Sequence, residues 1–158
     1  MTLTGSNHKN SQTGGFRHIL AAERLGIIYA RVALGAAFLS AVADRFGLWG
    51  KYGGWGNFAN FEKYTAQVNS FMPAPMIPFL AWVATMAELA FGIALILGIW
   101  TRWVARGSAV LLLLFGAAMA ISFGIKSPLD YSVFSASAGA FLLSLYPAQR
   151  DLGKEGHA

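Results

Sequence analysis

The chain has 158 residues, of which 56% are apolar and 12% charged, with a mean hydropathy of +0.50. A soluble domain carries about 25% charged residues, so this composition points to a bilayer. The net charge of +5 comes from 12 Lys and Arg against 7 Asp and Glu. No basic cluster interleaved with aromatics accompanies it, which argues against nucleic acid and for membrane topology. The absence of cysteine removes disulfides, thiolate metal sites, iron–sulfur ligation and thiol redox chemistry.

Residues 1–18 are polar, without apolar periodicity, and read as a mobile tail. A first membrane helix is expected over 25–43, its apolar run broken only by Arg31. Ser40, Ala41, Val42 and Ala43 before Asp44 also resemble a secretory cleavage site, but an internal arginine and the length of the run favour an uncleaved helix. The connection that follows sets Gly50, Gly53, Gly54 and Gly56 among Trp49, Tyr52 and Trp55. No strand precedes these glycines and no GK[ST] follows, so interfacial aromatics explain the stretch better than a phosphate loop. Over 57–72, Phe58, Phe61, Thr65, Val68 and Met72 recur at three and four residues, which predicts an amphipathic helix on the membrane surface or capping the bundle. Pro73 and Pro75 end it.

A second span is expected over 76–100; its length of about 37 Å exceeds a hydrocarbon core of roughly 30 Å. Glu88 lies at its centre. A third span is expected over 103–125, with Arg106 near enough to its start to snorkel and with Gly116 and Ala120 on one face. A fourth is expected over 128–146. Ser127, Pro128 and Asp130 resemble a capped start, and Ser132, Ala136, Ala140 and Ser144 form a flat side. Residues 148–158 read as a polar tail. The fold class is therefore all-α: an integral membrane four-helix bundle over 19–147, with an additional amphipathic interfacial helix in the first loop. Placing both termini in the cytoplasm puts Lys9, Arg17, Arg24, Arg102, Arg106, Arg150 and Lys154 inside, against Arg45, Lys51, Lys63 and Lys126 outside. That asymmetry favours this orientation.

A lone ionised Glu88 in mid-membrane would cost on the order of 2.5–3.5 kcal/mol on insertion scales. Arg31, the basic residue deepest in another span, is its expected partner. Two compatible readings follow: a buried ion pair that fixes helix register, or, with Thr85, a polar cavity for a small polar ligand, a proton or a quinone headgroup. Asp44, Arg45, Lys126 and Asp130 lie near helix ends, where capping and snorkelling account for them.

Glu88-Leu89, Gly92, Leu95, Leu97-Gly98 and Thr101-Arg102, preceded by Arg31, Gly35 and Phe38, resemble the pattern of the DoxX family of small four-helix bacterial membrane proteins. The resemblance extends over about residues 25–147. Where that family often places a lysine after the first helix, this chain has Asp44-Arg45. It implies a bacterial cytoplasmic-membrane location and, by analogy with relatives tied to quinone-linked sulfur oxidation, a role as anchor or quinone-site subunit beside a redox partner. The residues themselves supply no electron carrier: His8, His18 and His157 lie in the tails, so no span offers a haem or metal ligand. No Ser, His and Asp constellation for hydrolysis exists within the bundle. Two functions therefore stand: a membrane subunit of a quinone-linked oxidoreductase, or a non-catalytic protein that stabilises or organises a larger membrane complex.

Overall fold

The computed structural model describes residues 7–146, with side chains from Leu20 onward. The tail expected at 148–158 lies outside the described residues. The first helix, α1, runs Asn7–Arg45, so it begins inside the stretch read from sequence as a tail and ends two residues beyond the expected 43. Once the apolar part has nucleated a helix, each further residue adds one hydrogen bond at little cost, which lets a polar sequence continue it.

After a 3-10 turn at Gly50–Tyr52, α2 spans Phe58–Val68, shorter than the amphipathic pattern over 57–72. The Asn57 side chain caps its start by accepting the Asn60 N–H at 2.9 Å. Phe61, Thr65 and Val68 are its buried face. At its far end Ser122 donates to the Val68 carbonyl at 2.6 Å, and the Ser70 and Ser122 hydroxyls lie 3.1 Å apart.

The second long helix, α3, spans Ile77–Leu97, with Pro78 in its first turn, where a missing N–H costs nothing. Gly98 ends it at φ +75, letting the N–H groups of Gly98 and Ile99 fold back onto the Leu95 and Ala94 carbonyls. Helix α4 spans Thr101–Phe123. The expected fourth span is broken into α5, Lys126–Asp130, and α6, Val133–Leu145. Ser132, at φ +55, is the breaking point, and the Ser127 side chain does not cap because α5 has already begun at Lys126. Alone, α6 is about 20 Å long, too short to cross the hydrocarbon core. The short α5 and α6 together occupy the stretch expected to form the fourth span.

Among the described residues, three segments are long and apolar enough to cross a membrane: Leu20–Arg45, Ala74–Leu97 and Thr101–Phe123. They and α6 pack as two antiparallel pairs, α1 with α3 and α4 with α6. Glycine permits the close approach in each. A Cβ on Gly35 would lie 2.9 Å from the Gly92 carbonyl, and one on Gly116 would lie 2.6 Å from the Phe134 ring. Ser137 adds a hydrogen bond to the Ala109 carbonyl at 2.8 Å. Phe38, Leu95, Val104, Ala105 and Leu143 form the core that joins the two pairs. Leu113, Leu114, Ile121, Phe141 and Leu142 point outward and exposed, as lipid-facing side chains of a membrane bundle do.

Candidate functional site

One buried stripe on α3 contains Ile77, Ala81, Thr85, Glu88, Gly92 and Leu95, at the three- and four-residue steps of a single helix face. Glu88 is 4% exposed, so its carboxylate needs a partner inside the bundle. That partner is Arg45. Its Nη2 contacts Glu88 Oε2 as an ion pair, and its Nη1 donates to Thr85 Oγ1 at 2.8 Å. Thr85 passes its own hydroxyl proton to the Ala81 carbonyl at 2.8 Å, which leaves its lone pairs aimed at the guanidinium.

The pairing of Glu88 with Arg31 is thus corrected. Arg31 Nε donates to the Leu95 carbonyl at 2.9 Å and Nη2 to the Ile96 carbonyl at 3.2 Å, at the opposite end of the α1–α3 pair. The reason is the direction in which helical side chains lean. Each leans toward the N-terminus of its own helix. In an antiparallel pair, Arg31 leans toward the C-terminus of α3 and away from Glu88, while Arg45 and Glu88 lean toward one another. The contact of Gly35 with Gly92 fixes this register.

Arg45, read from sequence as a snorkelling helix-end residue, is 2% exposed. It is buried because α1 ends level with the middle of α3, and the first loop and α2 fold over that end. The Phe61 ring lies 3.7 Å from the guanidinium carbon and the Trp55 ring 5.7 Å away, so aromatic faces replace part of its lost hydration. Asp44 holds the cover in place. Its Oδ2 accepts the Gly54 N–H at 2.9 Å and the Trp55 N–H at 3.3 Å. A Cβ on Gly53 would collide with the same carboxylate, which explains glycine there. Tyr64, tilted against Trp55 at 5.7 Å, has its hydroxyl pushed above the ordinary tyrosine range by burial and then by Tyr131, so it stays neutral at neutral pH.

Polar capacity remains unused within this cluster. Beyond the Arg45–Glu88 ion pair, Arg45 Nε and Asp44 Oδ1 are buried without a hydrogen-bond partner among the described residues. A buried donor and acceptor left open are costly, and such groups mark places where a further polar atom can be bound. The arrangement offers one donor from a permanent cation, a carboxylate able to exchange a proton, and flat aromatic walls. Among the described residues no group of three or more His, Asp or Glu is placed to hold a metal ion.

The family model described as DoxX matches residues 26–123. The chain belongs to the DoxX family. The matched segment of this DoxX protein contains Arg31, Asp44, Arg45, Thr85 and Glu88 but ends at α4, so α5 and α6 lie beyond it. No curated protein and no solved structure matches the chain.

Proposed function

We propose that this DoxX protein is a multi-pass subunit of a quinone-linked oxidoreductase in a bacterial cytoplasmic membrane, and that Arg45, Glu88 and Thr85 receive a quinone headgroup. One observation carries the reading: a fully buried arginine, stacked against aromatic rings and ion-paired with Glu88, keeps its Nε–H without an acceptor among the described residues. A quinone carbonyl would accept from Arg45, and Glu88 would relay one of the two protons that accompany two-electron reduction to the quinol, the other coming from solvent. Electrons would come from a partner protein, since the chain has no cysteine and its three histidines lie at positions 8, 18 and 157. The seven-to-four distribution of positive residues supports both termini in the cytoplasm, with α2 on the opposite side.

Purification in mild detergent followed by solvent extraction tests the function. The native protein should carry quinone and a redox partner, and the paired Arg45→Met, Glu88→Leu variant should fold but lose the quinone. Recovery of the native protein in a stable assembly with neither quinone nor redox partner would replace this reading with that of a complex organiser.

A further inference from the structure

The Arg45–Glu88 site is closed on two sides by walls of different construction. The wall formed by the first loop and α2 is tied by hydrogen bonds. Asp44 holds Gly54 and Trp55, Trp49 Nε1 donates to the Ser40 carbonyl at 3.1 Å, and Asn60 Nδ2 donates to the Trp55 carbonyl at 2.8 Å. Ser122 fastens the far end of α2 to α4. Opening this wall would strand several polar groups at once.

The other wall, where α2 and the first loop face α3, consists of rings. From Phe61, against the guanidinium, the aromatic series passes to Phe58 at 5.9 Å and then to Trp82 at 4.4 Å, with Phe46 5.9 Å from Phe58 and 6.4 Å from Trp82. Phe46 and Trp82 are about half exposed, at 50% and 47%. On α3, Phe79, Val83 and Met86 are exposed around Trp82 on the same helical face, the face that meets lipid in a membrane-crossing helix. Ring rotation opens such a wall without leaving any hydrogen bond unmade.

We infer that the ligand of this site is a bilayer-dissolved molecule with an apolar body, and that it enters sideways between Phe46, Phe58 and Trp82, not from the aqueous side beneath α2. This rests on reading Arg45 and Glu88 as a headgroup site. It assigns Phe58 and Trp82 to the apolar body of the ligand and Arg45 to its polar end.

The test is the rate at which decylubiquinone quenches tryptophan fluorescence of the full chain in lipid nanodiscs, followed by stopped flow. Phe58→Ala should speed association several-fold, because it thins the ring wall while leaving Trp55 and Trp82 as reporters. Phe46→Ala carries the same expectation should the first variant fail to fold. A disulfide between Ser70→Cys and Ser122→Cys, whose hydroxyls are within contact distance, locks α2 onto α4 and should leave the rate unchanged. Slowing by that disulfide, reversed on reduction, would place the entrance beneath α2 and overturn the inference, as would unchanged rates in both alanine variants. Absence of quenching in the native protein would instead remove the headgroup reading and this inference with it.

Discussion

The two arginines of α1 sit at opposite ends of the same helix pair, and they solve the problem of a cation near the membrane in opposite ways. Arg31 donates to the Leu95 and Ile96 carbonyls in the last turn of α3, where the negative end of the helix dipole already favours a cation. Arg45 is sealed from solvent at mid-helix depth, against a carboxylate, a hydroxyl and two aromatic faces. Arg31 completes a structure that would want a cation in any helix. Arg45 depends on a carboxylate that the membrane would otherwise exclude, so this end of the helix pair holds the two partners that cannot be changed singly.

That contrast predicts its largest effect at Arg45 and Glu88. Removing one partner leaves a buried charge uncompensated, at a cost of about 3–5 kcal/mol, whereas replacing both with apolar residues of similar volume is nearly neutral. Arg45→Met and Glu88→Leu should each lower the thermal unfolding temperature in detergent sharply, and the double variant should recover most of the loss. Single variants as stable as the native protein would show that the pair is not buried as described.

At the Arg31 end the sensitive position is Gly98. Its φ of +75 would cost an alanine about 1–2 kcal/mol from the backbone alone. A Cβ there would also collide with the Arg31 guanidinium, so the arginine must leave the Leu95 carbonyl. Gly98→Ala should therefore destabilise by more than the backbone cost, and Gly98→Ala combined with Arg31→Met should cost less than the two separate losses added together. Strict additivity would show that Arg31 does not occupy that space.

A smaller effect separates the cover of the Arg45 end from the bundle beneath it. Asn57→Ala removes the cap of α2, worth about 1 kcal/mol. Because α2 covers Arg45 and does not touch Arg31, amide hydrogen exchange should rise in α2 and leave the C-terminal turn of α3 unchanged. Equal acceleration at both ends would mean that the two halves of the α1–α3 pair open together.

How much of this was legible in the sequence differs along the chain. The three long apolar helices were readable because apolar length alone decides them, and the face of α2 was readable because Phe61, Thr65 and Val68 repeat at helical steps. Glu88 and Thr85, both buried, stood out because polar groups in an apolar run have no local explanation. Arg45 was missed because it follows Ala43 and Asp44 where hydropathy falls, and falling hydropathy resembles a helix leaving the membrane. Nothing local shows that the next thirty residues fold back over that end. The lean of side chains toward their own N-termini, combined with Gly35 facing Gly92, would have separated the arginines. The break at Ser132 had no such signal: Tyr131 and Ser132 carry no glycine or proline to mark a left-handed residue.

The smallest predicted quantity is the most discriminating. A double-mutant cycle measures the energy that two residues share, and sites without shared partners add to within about 0.3–0.5 kcal/mol. Arg31→Met should be destabilising by itself, since charged hydrogen bonds to the Leu95 and Ile96 carbonyls are lost. Combined with Glu88→Leu, its cost should simply add, giving a coupling within that margin, while the Arg45 and Glu88 cycle returns most of the single-variant cost as coupling. A large coupling between Arg31 and Glu88 would mean that the guanidinium leaves the α3 carbonyls for the carboxylate, which requires α1 to slide along α3. Gly35 and Gly92 oppose that slide, because every residue that would replace either in the contact brings a Cβ into backbone already at van der Waals distance.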